Sequence, residues 1–185
     1  MAAALLLNRV VSKDGVLDIT VVGLIHILAF LAALARLLQV TRRSPARALL
    51  WIGALVALTD AAYVVFWNSM YLEPASCIFF LLLLAESVDI ARAGEATSAN
   101  VLRWSVWSAL WVLAKAQNAP IGLILALFTF RLSTWTKPKR ARMMAVAGGL
   151  ATMLCVAYDV TAIPARVRLA SAYNMVFSGV LPESK

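Results

Sequence analysis

Four ionisable residues interrupt apolar runs long enough to cross a bilayer: Asp60, Lys115, His26 and Asp159. Asp60 lies in LWIGALVALTDAAYVVFW, residues 50–67. A charge at the centre of a membrane helix costs roughly 2.5–3.5 kcal/mol by insertion scales, so it faces protein or a water-filled cavity. Depth follows from the distance to the nearest basic helix end at 1.5 Å per residue. On that count Asp60 lies about 20 Å in and Lys115 about 18 Å in. His26 lies about 15 Å in and Asp159 about 25 Å in. Asp60 and Lys115 match best in depth and have opposite sign, so they are expected to pair across a bundle with His26 near. One chemistry for such a set is a proton or ion relay, because His titrates near neutrality and burial raises a carboxylate's affinity for protons. The other is an ion pair that orients helices, with Lys115 snorkelling to the interface and Asp159 at a helix end.

Glu86, Asp89 and Arg92 form a second constellation. Their spacing of three places them along one face of a helix, near its basic end. Arg92 is expected to pair with Asp89, leaving Glu86 deeper. The set reads as an interfacial salt-bridge ladder, or as an entry site for a cation or polar head group. Trp104, Trp107 and Trp111 make an i, i+3, i+7 stripe. Such a stripe either stacks a flat ligand or, more often, packs against protein and lipid. Gly148 and Gly149, with Ala145 and Thr152, give a small-residue surface that permits close helix approach. Cys77 and Cys155 sit in apolar segments and read as small packed hydrophobes. No metal site or cofactor is expected: there is no Cys/His cluster of ligand spacing, and a single His cannot supply paired haem ligands. Phosphate-binding loops, hydrolase elbows and zinc-protease motifs are also missing.

The elements that must position these residues are helices. The chain has 185 residues, 63% hydrophobic, against about 45–50% in a soluble domain, and its natural solvent is lipid. Apolar runs at 16–38, 46–67, 75–90, 100–116, 120–135 and 141–163 predict an all-α, polytopic integral membrane bundle. The expected arrangement is about six transmembrane helices in three hairpins, plus a C-terminal interfacial helix at 165–181. The expected divisions are a surface segment at 1–15, the bundle at 16–163 and an amphipathic tail at 164–185. Three basic loops, 35–47, 91–103 and 130–142, repeat Arg, Thr five residues on, and Arg eleven from the first. That repeat reads as chance alignment of short basic loops, or as three two-helix units. The excess of Lys and Arg puts these loops on the cytoplasmic or equivalent side.

The net charge of +8 falls in those loops, which argues for a membrane surface and against nucleic acid as partner. The expected partners are the lipid bilayer and other membrane subunits. Short loops and sparse polar chemistry point to a non-catalytic subunit of a larger membrane complex, for example an energy-transducing one in the mitochondrial inner membrane. The alternative is a small transporter or channel with an Asp60/Lys115/His26 polar path.

Overall fold

A computed structural model describes residues 19–42, 47–49, 52–53 and 73–162, and they are all-α. Five helices carry the architecture. They are α1 (Ile19–Val40), α2 (Glu73–Ala93), α3 (Ser98–Ala114), α4 (Ala119–Trp135) and α5 (Lys139–Ala162), with one 3₁₀ turn at Ala116–Asn118.

Three of these are long and apolar enough to cross a membrane: Val21–Val40 in α1, Pro74–Ala93 in α2, and α5. This corrects the expectation of six transmembrane helices in three hairpins. The bundle is all-α, with three long membrane-capable helices among the described residues. The physical reason is length. α3 and α4 have 17 residues each, about 25 Å at 1.5 Å per residue, against a hydrocarbon core of about 30 Å. Their shared turn cuts both short. Lys115 leaves helical geometry at φ −157°, and the side chain of Asn118 donates to the carbonyl of Trp111 at 2.7 Å. Pro120 then sits in the first turn of α4, where its missing N–H costs nothing. α3 also carries Asn100, Arg103, Ser105 and Ser108, which dilute its apolar character. Of the expected span at 46–67, only 47–49 and 52–53 are described, and they are helical. The expected tail helix at 165–181 lies outside the described residues.

The turn between α2 and α3 is built from Gly94, at φ +67°, a left-handed conformation that only glycine adopts without strain. Thr97 then caps α3: its hydroxyl oxygen accepts the backbone N–H of Asn100 at 3.2 Å, satisfying one of the helix's orphan donors.

α2, α3, α4 and α5 form a continuous core around Leu83, Ile90, Val101, Trp104, Leu132 and Ala145. α3 runs antiparallel to α2 and α4 and parallel to α5. In lipid, association has no hydrophobic driving force of its own, so close packing at small residues must supply it. A Cβ on Gly122 would lie 2.7 Å from side-chain carbons of Val112 and Val156. Among the described helices α1 stands at one edge and packs on α2, with Phe30, Ala33, Leu34 and Leu38 against Ile78, and Leu37 and Val40 against Ala85. These pairings advance together along both helices, so α1 and α2 are parallel. The outside is apolar: Ile124, Leu127 and Leu154 are 64–70% exposed, as expected of lipid-facing side chains. The chain is therefore an integral membrane protein with several apolar helices.

Candidate functional site

The direction of the helices gathers the basic residues. α1, α2 and α4 end, and α3 and α5 begin, at one end of the bundle. Arg36, Arg42, Arg92, Arg103, Arg131, Lys137, Lys139, Arg140 and Arg142 consequently share it. There Glu95 and Lys137 pair across two turns; this bond and the Glu95 charge raise the Lys137 ammonium above its ordinary pKa of 10.5.

Just inside that end, Glu86 and Asp89 of α2 meet arginines from both flanking helices. Parallel packing puts Arg36 of α1 beside them, and the Gly94 turn brings Arg103 of α3 alongside from the other face. Glu86 is 1% exposed. Its Oε1 accepts from Arg36 Nε at 3.2 Å and Nη2 at 3.1 Å. Arg103 Nε lies 3.0 Å from the same oxygen, in ion-pair range but without hydrogen-bond alignment. Asp89 Oδ2 accepts from Arg36 Nη2 at 2.8 Å and from Asn100 Nδ2 at 3.0 Å, with Arg103 Nη2 at 3.7 Å. Asn100 is itself held by the Thr97 hydroxyl, which donates to its Oδ1. Two carboxylates thus balance two guanidinium groups, which offsets the desolvation that a buried charge would otherwise suffer. Glu86 Oε2 is buried without a hydrogen-bond partner.

Arg92 does not join this cluster as the three-residue spacing predicts. It donates to the main-chain carbonyl of Val40, one of the orphan acceptors at the C-terminus of α1. The physical reason is that parallel α1 brings both a better-placed cation, Arg36, to Asp89 and an unpaired helix end to Arg92. The shared Thr of the three basic loops also does different things. Thr41 and Thr136 bond back onto the last turn of a helix, whereas Thr97 opens one.

The remaining sequence candidates lie elsewhere. Asp60 is outside the described residues, so its pairing with Lys115 is too. Lys115 and His26 both have interaction partners. Lys115 ends α3 and His26 lies in the first half of α1, both away from the basic end. Asp159 is in the last turn of α5, 8% exposed, with Oδ2 buried and without a hydrogen-bond partner. None of these three meets Glu86. Gly148 and Gly149 sit at helix contacts: a Cβ on Gly148 would come within 2.5 Å of Ser105 Cβ, and one on Gly149 within 2.7 Å of the Phe130 ring. The tryptophan stripe is engaged by the protein's own rings. Trp107 stacks on Phe79 at 6.2 Å, while Trp111 meets Phe80 at 6.0 Å and Trp104 meets Phe128 at 5.1 Å in tilted contacts. Trp104 Nε1 also donates to Thr129 Oγ1 at 2.8 Å.

The sequence reading missed Arg36, Asn100, Thr97 and Arg103 as members of the cluster. The signal was present: Arg36 and Arg103 lie near the basic ends of their helices, at the depth of Glu86. Chemically the arrangement ties three helices together. Its acid groups are taken up by guanidinium donors of the two flanking helices. Among the described residues no group of three or more His, Cys, Asp or Glu could hold a metal ion.

A family model described as the YfdI N-terminal transmembrane domain matches residues 1–185. No curated protein matches the chain, and no solved structure does. With the whole chain matched, this polytopic membrane protein belongs to the YfdI N-terminal transmembrane domain family.

Proposed function

We propose that the chain is a non-catalytic, multi-pass subunit or module of a larger membrane assembly, acting by holding its helices in a fixed arrangement beside other membrane segments. One observation carries this reading: Glu86 and Asp89 are engaged by Arg36 and Arg103 as ties between helices. The outer face of α1 supports it, since Leu24, Leu28 and Leu31 are exposed and, among the described helices, α2 is the one on which α1 chiefly packs. The family's description as an N-terminal transmembrane domain also fits a membrane-embedded module that works with other protein.

The test is the native mass of the full chain in mild detergent, together with photo-crosslinking from Leu28 and Leu31 in intact membranes. Co-migration with other membrane proteins in fixed ratio, and a crosslink from α1 to one of them, is the expected result. A monomer that crosslinks to lipid alone refutes the reading.

A further inference from the structure

At the basic end, the last turns of α1 and α2 leave between them a cleft of about 470 Å³. Its polar lining is Arg36, Gln39, Arg42, Asp89 and Arg92. Three guanidinium groups therefore stand against one carboxylate, and that carboxylate is already committed. Asp89 Oδ2 is shared by Arg36 and Asn100, with Arg103 close by. Arg92 uses Nη1 on the Val40 carbonyl, which leaves Nε and Nη2. The Arg42 side chain is exposed and makes no hydrogen bond or ion pair among the described residues.

The helix ends themselves oppose an anion, because a C-terminus carries roughly half a negative charge. The last four of these acceptors at α1 are already covered, Val40 by Arg92, Leu37 and Leu38 by the Thr41 hydroxyl and Gln39 by the Arg42 N–H. Arg36 is balanced by Glu86 and Asp89, and the full charges of Arg42 and Arg92 outweigh what remains. Guanidinium groups bind phosphate oxygens in pairs of parallel hydrogen bonds, which a lysine cannot do. The cleft also sits at the right level. α1 is 22 residues long, about 33 Å, so its last turn emerges where phospholipid phosphates lie. Basic pockets between helices on that side are where anionic head groups dock.

We propose that the cleft between the ends of α1 and α2 is a phosphate-binding site, taking its phosphate from an anionic phospholipid or from a free phosphate compound. Arg42 and Arg92 provide the open donors, and Arg36 closes the inner wall.

The experiment uses the full chain in mild detergent, with phosphatidylglycerol binding read by native mass spectrometry and inorganic phosphate binding read by thermal shift. The variants are Arg42→Gln, Arg92→Gln and the pair together. The control is Lys139→Gln with Arg140→Gln, which removes the same charge from the start of α5 at the same end. Each cleft arginine removed is expected to weaken phosphatidylglycerol binding about fivefold, with the control pair changing it less than about twofold. Inorganic phosphate that binds with the same variant dependence assigns a free phosphate as the source; phosphatidylglycerol alone showing it assigns a lipid. Equal losses in cleft and control variants overturn the proposal, as does no loss in either. Arg42→Gln removes no bond within the protein, so it decides the matter by itself if Arg92→Gln does not fold.

Discussion

Replacing Gly148 with alanine tests the contact that seats α5 against α3. The new Cβ would lie 2.0 Å from Ser105 Oγ and 2.5 Å from Ser105 Cβ. The hydroxyl can rotate away, but Ser105 Cβ is fixed to its backbone. Ordinary contact begins at 3.4 Å, so α3 and α5 must part by about 1 Å. Overpacking of this kind costs about 1–3 kcal/mol, and a backbone-anchored clash belongs at the upper end. Alanine returns about 1 kcal/mol through helix propensity, leaving a net loss of about 2 kcal/mol. Ser105→Gly removes the obstructing carbon, so the double variant should recover most of the loss, with a coupling of about 2 kcal/mol. The assay is equilibrium unfolding in mixed micelles, followed by tryptophan fluorescence. Gly53→Ala is the control, since a Cβ there meets nothing within 4 Å, and it should be neutral or slightly stabilising. A coupling within about 0.5 kcal/mol of zero would refute the packing argument.

The other expectations follow from the ties and turns. Glu86→Gln leaves two arginines facing Asp89 alone; because both are partly exposed, the loss is about 3 kcal/mol, the low end for breaking a buried pair. Thermal unfolding in detergent reads it, and a loss under about 1 kcal/mol would mean the tie is only a surface pair. Gly94→Ala forces a side chain into φ +67° and should cost about 1–2 kcal/mol, measured by the same melt; an unchanged melting temperature would refute the strain. Lys137 has its pKa raised above 10.5 by Glu95. The pair's contribution is therefore complete below that value and is lost as pH rises through the raised one. The small difference in melting temperature between wild type and Glu95→Gln should shrink alkaline of 10.5, and a difference that grows there contradicts the sign.

The positions of helices were legible because apolar runs and their punctuation are local signals. Pro74, Pro120 and the basic loops mark where α2, α4 and their neighbours begin and end. Which helices are long enough to span was not legible in the same way. The break at Lys115–Asn118 was marked by the end of one apolar run and by Pro120, but the side-chain bond from Asn118 to Trp111 that closes α3 there was not. The candidate cluster was half visible. Glu86 stood out as a buried acid, but spacing along one helix offers only its own neighbours, and Arg92 was the nearest. Its partners come from α1 and α3 because of helix direction and register, which are properties of the assembled bundle. Gly148 was legible as a small residue, whereas Ser105 as its counterpart required the relative height of α3 and α5.

The edge position of α1 has a consequence for how the protein is made. During synthesis α1 emerges before α2, and the acids that hold Arg36 lie about 50 residues further on. At 5–20 residues per second, α1 waits roughly 3–10 seconds in the membrane before Glu86 and Asp89 arrive. Through that interval it must be stable without α2, which its mostly apolar sequence allows, while Arg36 reaches back to the water. The tie then forms as a late checkpoint: a chain whose α1 has inserted in the wrong direction presents Arg36 at the far surface, and Glu86 is left with Arg103 alone.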